Sequence, residues 1–197
     1  MIITGSIRKR KTINNSNIDK VMKIFNHTNY PKVIIKLKPS RIIKGEVGAF
    51  TMKNFKKGEI IVNSKEFNDN NIMSIDEYNK LDKDNKNLVK AHSTITINKL
   101  FIPENINNLK PINYFNHSCN PNTGFDLNDN YVAIKNISKG TELLLDYSFL
   151  NTNPNYKIKC TCGAKNCRRI ITGNEWQNKK FVRKNKKYFA STLRELL

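Results

Sequence analysis

The apolar residues of this chain come in short, β-branched or leucine runs such as Val33-Ile34-Ile35, Ile60-Ile61-Val62 and Leu143-Leu144-Leu145, each bounded by Gly, Asn or Lys. Runs this short, set between turn formers, read as brief strands of small sheets. None approaches the roughly 18 apolar residues that span a bilayer. Met1 to Lys11 also lacks the apolar stretch of a secretory signal. The pattern points away from membrane spanning and secretion, and toward an intracellular protein. At 38% hydrophobic residues the chain sits low for a globular protein but can still build a core.

A length of 197 residues suits one domain with small appendages. Residues 1–31 are polar, Asn-rich and basic, with one apolar patch from Ile18 to Phe25, and read as an arm. From Lys32 onward candidate strands fall at 32–37, 47–52, 59–62, 94–97, 131–136 and 142–145. One helix interrupts them. Ser74 and Glu77 have capping-box spacing, and Ile75, Tyr78, Leu81, Leu88 and Val89 follow at mostly helical intervals. Past Gly173 a helical tail is expected, anchored by Trp176, Phe181, Phe189, Leu193, Leu196 and Leu197. The fold class is mainly β with α insertions (α+β).

The chain carries 35 Lys and Arg against 16 Asp and Glu, a formal charge of +19. Such an excess favours nucleic acid, anionic lipid or acidic protein faces. It equally suits a Lys- and Asn-rich composition that solvates an ordinary surface. Arg8-Lys9-Arg10-Lys11 and the stretch from Lys179 to Lys187 are the densest basic segments, of the kind used for nuclear import or nucleic-acid contact.

The chain has four cysteines. Cys160, Cys162 and Cys167 form C-x-C-x4-C, and Cys119 lies about forty residues earlier. Four thiolates match a closed tetrahedral zinc site. Disulfides and buried free thiols are the alternatives, the first disfavoured in a reducing compartment.

Three further stretches are individually unremarkable. Asn116-His117-Ser118-Cys119-Asn120-Pro121-Asn122 is a turn-forming loop. Gly140-Thr141-Glu142-Leu143-Leu144-Leu145-Asp146-Tyr147 is a turn and a buried strand ending in an acid and a phenol. Gly48-Ala49-Phe50, then Lys56-Lys57-Gly58-Glu59, reads as two strands around a glycine turn. Their order is informative. An N-H-S-C-x-P-N loop, a G-x-E-L-x-x-D-Y strand and then C-x-C-x4-C resembles the SET domain with its post-SET zinc motif, over about Val33 to Gly173.

That resemblance implies a fold of small β-sheets with a pseudoknot, the later segment passing beneath an earlier loop, an exception to the rule against threading. It divides the chain into a basic arm (1–31), a SET domain (32–150) with an insertion (63–107), a post-SET zinc segment (151–173) and a basic C-terminal helix (174–197). The insertion would form part of the substrate-facing wall. The resemblance implies transfer of methyl groups from S-adenosylmethionine to a protein lysine ε-amine, with a structural zinc on Cys119, Cys160, Cys162 and Cys167. It places Asn116 and His117 beneath the adenosine, Val47, Gly48, Ala49 and Phe50 at the cofactor's amino-acid end, and Tyr147 where the cofactor pocket meets the lysine channel, as catalytic residue.

The chain departs from the family pattern at three points. Glu46 stands at the first position of the usual G-x-G, with Gly45 just upstream, so either the loop is shifted by one or its turn tolerates a side chain. Asn113 replaces a frequent Arg. Leu145 replaces a Phe or Tyr that influences methylation state, which favours di- or trimethylation over strict monomethylation.

The reaction needs a neutral amine, whereas lysine in water titrates near about 10.4. An apolar channel and a neighbouring sulfonium both disfavour the ammonium form. Tyr147 would then work by positioning and electrostatics, because an ordinary phenol titrates near about 10. The alternative is a catalytically inactive SET-like module that binds chromatin or nucleic acid through its basic surface. The substrate is expected to be a protein lysine, with a histone in nucleosomes as one candidate. A nuclear or host-nuclear site is the corresponding location. Acidic residues Glu66, Asp69, Asp76, Glu77, Asp82 and Asp84 gather in the insertion, either to dock a basic peptide or, as preferred, to cap and solvate a helix.

Overall fold

The computed structural model describes residues 34–66 and 70–197. The arm at 1–31, the first two residues of the 32–37 strand and Asp69 lie outside the described residues. Among the described residues no helix is long and apolar enough to cross a membrane.

Strands β1 (Ile35–Pro39) and β2 (Val47–Thr51) form an antiparallel pair joined by a turn that rises through Gly45. Strand β3 (Ile60–Val62) joins a five-stranded sheet described below. The insertion holds a three-stranded antiparallel sheet of β4 (Asn70–Ser74), β5 (Thr94–Ile95) and β6 (Lys99–Pro103), in the order β4-β6-β5. Strand β4 was not anticipated because its Asn-Asn start disfavours strand. Its pairing along the whole of β6 overrides that preference.

The single helix expected from Ile75 to Val89 is two, α1 (Ile75–Lys80) and α2 (Lys83–His92). Ser74 and Glu77 do form the capping box at the start of α1. The break comes from Leu81, which is extended, and from Asp82, whose carboxylate accepts the backbone N–H groups of Asp84 and Asn85, both at 2.9 Å. An aspartate so bonded starts a new helix more strongly than it continues an old one. Glu77 and Asp82 therefore cap helices, as the preferred reading of the acidic cluster holds.

The order of the five-stranded sheet is β3-β9-β8-β10-β7, with β7 (Asn116–His117), β8 (Thr123–Phe125), β9 (Tyr131–Ala133) and β10 (Leu144–Leu145). β7 and β8 are consecutive in the chain, yet β10 lies between them and runs parallel to both. Leu144 and Leu145 thus pass beneath the 118–122 loop, with the Ser118 and Asn122 N–H groups donating to the Leu145 and Leu144 carbonyls at 3.0 and 3.1 Å. This is the expected pseudoknot.

After β10 come the hairpin β11 (Lys157–Lys159) and β12 (Ile170–Thr172), then α3 (Lys179–Asn185) and α4 (Ser191–Arg194). The tail is helical, in two pieces. One core gathers Phe55, Phe115, Leu143, Phe149, Phe189 and Leu193. A second packs Ile95 and Leu100 of the insertion against Tyr156, Ile171 and three of the cysteines, so the insertion and the β11–β12 hairpin share one apolar centre.

Candidate active site and zinc centre

Tyr147 lies just past β10, with Asp146 between them. Asp146 caps the turn it begins, its carboxylate accepting the Ser148 N–H at 3.0 Å. The Tyr147 backbone N–H donates to His117 Nδ1 at 3.1 Å, and the two rings meet edge to face with centroids 5.3 Å apart. His117 is 4% exposed. Burial, reinforced by the Arg168 charge, pulls its pKa down to about 3. The ring is therefore neutral, and since Nδ1 accepts, its proton is on Nε2, 3.4 Å from Cys119 Sγ. One imidazole thus links the tyrosine to the cysteine cluster.

Asn116 and the Val47–Phe50 strand form one unit. Asn116 Nδ2 donates to the Val47 carbonyl at 3.0 Å and to Glu142 Oε1 at 3.2 Å. Glu142 is buried and also accepts from Ser40 Oγ at 2.7 Å and from the Arg41 N–H at 2.8 Å. A Cβ on Gly48 would overlap the Glu142 carboxylate, so this glycine is required for close approach. Ala49 and Phe50 are buried whole, backbone included, while Val47 is half-exposed at the outer end of the strand.

The question posed by Glu46 has a clear answer. Gly45 has φ of +87°, and Glu46 is not among the residues with positive φ. The left-handed position of the turn is shifted by one, so position 46 accepts a side chain without backbone strain. Burial first, and then Glu46, push the Tyr147 phenol up to about 12.

Beside Tyr147 is a cavity of about 90 Å³, walled by Phe115, Tyr131, Leu145, Leu150 and Tyr156, with Lys90 to Thr94 of the insertion at one side. Ile112, Tyr131 and Leu150 continue into an outer groove of about 280 Å³ that reaches Ala190–Thr192. Leu145 and Asn113, two of the departures noted in the sequence, both line the inner cavity.

The four cysteines converge. Their Sγ atoms lie within 4.8 Å of one another, with Cys119 to Cys160 at 3.8 Å and Cys160 to Cys167 at 3.6 Å. A tetrahedral zinc with Zn–S of about 2.3 Å requires S···S edges of about 3.8 Å. The cluster fits zinc, and three of its four residues are buried. The Arg168 N–H donates to Cys119 Sγ at 3.3 Å, and the Arg168 guanidinium pairs with Asp146 Oδ1 at 2.5 Å. The residue after the last cysteine is thereby tied to the residue before Tyr147.

Residues 46–148, just over half of the chain, match the SET domain. The chain belongs to the SET-domain family. It is 44% identical over 66 residues to human histone-lysine N-methyltransferase 2D, an alignment covering 30% of this chain and 1% of that protein. It is 41% identical over 63 residues to histone-lysine N-methyltransferase trr of Drosophila melanogaster, covering 28% and 3%. It is 31% identical over 74 residues to methyltransferase flvH of Aspergillus flavus, covering 36% and 42%. The chain spans less than half the length of each of these relatives. The four-cysteine cluster is consistent with the family's post-SET zinc motif.

Sequence reasoning quoted Glu142 and Asn122 inside motifs without giving either a task, and passed over Arg168. Glu142 accepts from Arg41, 101 residues earlier, Asn122 bonds the Glu142 backbone, 20 residues on, and Arg168 pairs with Asp146, 22 residues back. The available signal was a carboxylate, Glu142, leading directly into the apolar run Leu143–Leu145, whereas Asn122 sits in a polar loop that gives no such signal.

Proposed function

We propose that this SET domain transfers methyl groups from S-adenosylmethionine to the ε-amine of a protein lysine, with a structural zinc on Cys119, Cys160, Cys162 and Cys167. The observation that carries the reading is Tyr147 in the wall of a cavity lined by Phe115, Tyr131 and Tyr156, against His117, whose neighbour Asn116 bonds Val47. Glu46, whose negative charge acts on the Tyr147 phenol, would favour a positively charged ligand atom beside that ring. S-adenosylmethionine, when bound, supplies a methyl carbon on such a sulfonium, and the C–S electron pair stays with sulfur as the lysine nitrogen takes the methyl.

The protein's own part is positional. Phe115, Leu145 and Leu150 give the cavity an apolar side, and Lys90 at its other side adds a like charge, both of which favour the neutral amine. Tyr147 stays protonated, so its hydroxyl orients the reacting groups and does not act as a base. Val47 to Phe50 would hold the amino-acid end of the cofactor mainly through backbone, and Asn116 and His117 would underlie the adenosine. Because the His117 ring is engaged by Tyr147 and Cys119, its backbone is the part left for that contact. Leu145 leaves room where a larger aromatic would crowd a partly methylated amine, which supports di- or trimethylation.

The substrate we favour is a histone in nucleosomes, as the names of the relatives suggest, with a nuclear or host-nuclear location. The test is radiolabelled S-adenosylmethionine with histones, nucleosomes and cell lysate, using Tyr147→Phe as control. Label that requires Tyr147 supports the methyltransferase, and the preferred lane names the substrate class. A folded, zinc-loaded protein that labels nothing and fails to bind S-adenosylmethionine overturns the reading in favour of an inactive binding module.

A further inference from the structure

A cavity of about 650 Å³ lies between the back of the 119–121 loop, the Ile134–Lys135 end of the β9 segment and α3. None of Val47–Phe50, Asn116, His117 or Tyr147 lines it. Its cations are Lys135, Arg168, Lys180, Lys184 and Lys187. Lys180 and Lys184 stand one helical turn apart on α3, and Lys187, in the 3-10 turn at Lys186–Tyr188 that follows, lines the same cavity. Asp146 is the carboxylate in the lining, and it is buried and paired with Arg168. Among the described residues no carboxylate lies within ion-pair distance of the four lysines. Lys135 instead donates to Asn120 at 3.1 Å, a neutral acceptor.

Uncompensated lysines converging on a cleft make a site for a polyanion. Isolated carboxylates gain little from exposed lysines, because both partners are well solvated. A regular phosphate chain gains much more, since each neutralised phosphate releases condensed counterions. Lysine also suits phosphate as a point charge without demanding forked geometry. The two aromatic rings in the lining are already used. Phe181 lies against Phe189 with centroids 5.9 Å apart and has the Arg168 guanidinium over its face, and Tyr188 has the Lys187 ammonium 5.0 Å from its centroid. No free ring remains there on which an unpaired base could stack, the usual device for single strands.

We propose that this cleft binds the phosphate backbone of duplex DNA, through Lys135, Lys180, Lys184 and Lys187 and without reading sequence. Cys119 and Asp146 border the cleft, but none of the residues assigned to the cofactor or the lysine lines it, so DNA bound here would leave the transfer site open and hold the enzyme on a DNA-associated substrate.

The test is anisotropy of a fluorescent DNA duplex titrated with the full, zinc-loaded chain across a salt series, with no S-adenosylmethionine present. The triple variant Lys180→Ala/Lys184→Ala/Lys187→Ala is compared with a charge-matched control, Lys57→Ala/Lys83→Ala/Lys139→Ala, whose exposed residues lie outside the cleft. Four phosphate contacts predict a slope of log affinity against log salt of about −3.6, and the cleft triple should flatten it by about 2.7. Binding at moderate salt should fall more than tenfold in the cleft triple and much less in the control. Equal losses in both triples, or no loss in either, would overturn the proposal. Competition by poly-glutamate matching that by DNA would reassign the cleft to acidic protein, and stronger binding of single-stranded or RNA probes would also reject duplex DNA. Zinc content and methyl transfer to free histone, measured on the same variants, separate this outcome from failure of the enzymatic reading.

Discussion

The side chain of Asn122 completes the strand that runs beneath its own loop: Nδ2 donates to the Glu142 carbonyl at 2.7 Å while Oδ1 accepts the Leu144 N–H at 2.8 Å. One amide thus does what a neighbouring strand would do for the chain leading into Tyr147. Asn122→Ala should destabilise the domain by about 2–4 kcal/mol, because two buried backbone groups lose their partner. Urea unfolding measures it, with Asn136→Ala, whose amide bonds an exposed N–H, expected to cost under about 1 kcal/mol. A cost for Asn122→Ala no larger than that of the control would refute this account.

Gly48 and Glu142 should be energetically coupled. Gly48→Ala is expected to cost about 1–3 kcal/mol because its methyl meets a buried carboxylate. Glu142→Ala is also costly, since Ser40, Arg41 and Asn116 lose an acceptor. In the double variant the added methyl has room, so the combined cost should fall short of the sum by about 1 kcal/mol or more. Strict additivity in a double-mutant cycle would show that the carboxylate does not set the glycine requirement.

Metal analysis should find one zinc per chain, lost in Cys162→Ser. Chelation should lower the thermal midpoint and expose the 151–173 segment to protease first, because its cysteines form much of the second core. A metal-free, reduced protein with unchanged stability and protease resistance would argue for free thiols.

The phenol of Tyr147 has its pKa raised from about 10 in the unfolded chain to about 12 in the folded protein. A raised folded value means the neutral phenol stabilises the fold fully below the unfolded pKa, and that this contribution is lost as pH climbs through the folded one. Stability should therefore hold to about pH 10 and fall over the next two units or so. Absorbance of tyrosinate in wild type and Tyr147→Phe isolates the group. A Tyr147 signal appearing near its ordinary pKa would contradict the raised value of this partly buried phenol.

Much of the fold was legible locally. The turn at Gly140, the capping box at Ser74 and the short strands at Val47 and Ile60 follow from residue preferences acting within a few positions. Strand β4 was hidden because Asn70 and Asn71 argue against strand until β6 pairs with them. The helix over Ile75–Val89 was read as continuous because its apolar spacing outweighed one aspartate. In the folded chain Asp82 satisfies two backbone N–H groups and wins.

The order of motifs was enough to place the chain among SET domains and to nominate Tyr147, the Asn116–His117 pair and the four cysteines. Sequence alone left open whether Glu46 displaced a needed glycine, what Glu142 and Asn122 do, and how Arg168 joins the zinc segment to Asp146. Those depend on groups brought together from distant parts of the chain, as in the 102-residue separation between Ser40 and Glu142. Residue type fixes what a group can donate or accept. Only the tertiary structure decides which partner is within reach, because a buried polar group must be satisfied by whatever the pseudoknot places beside it.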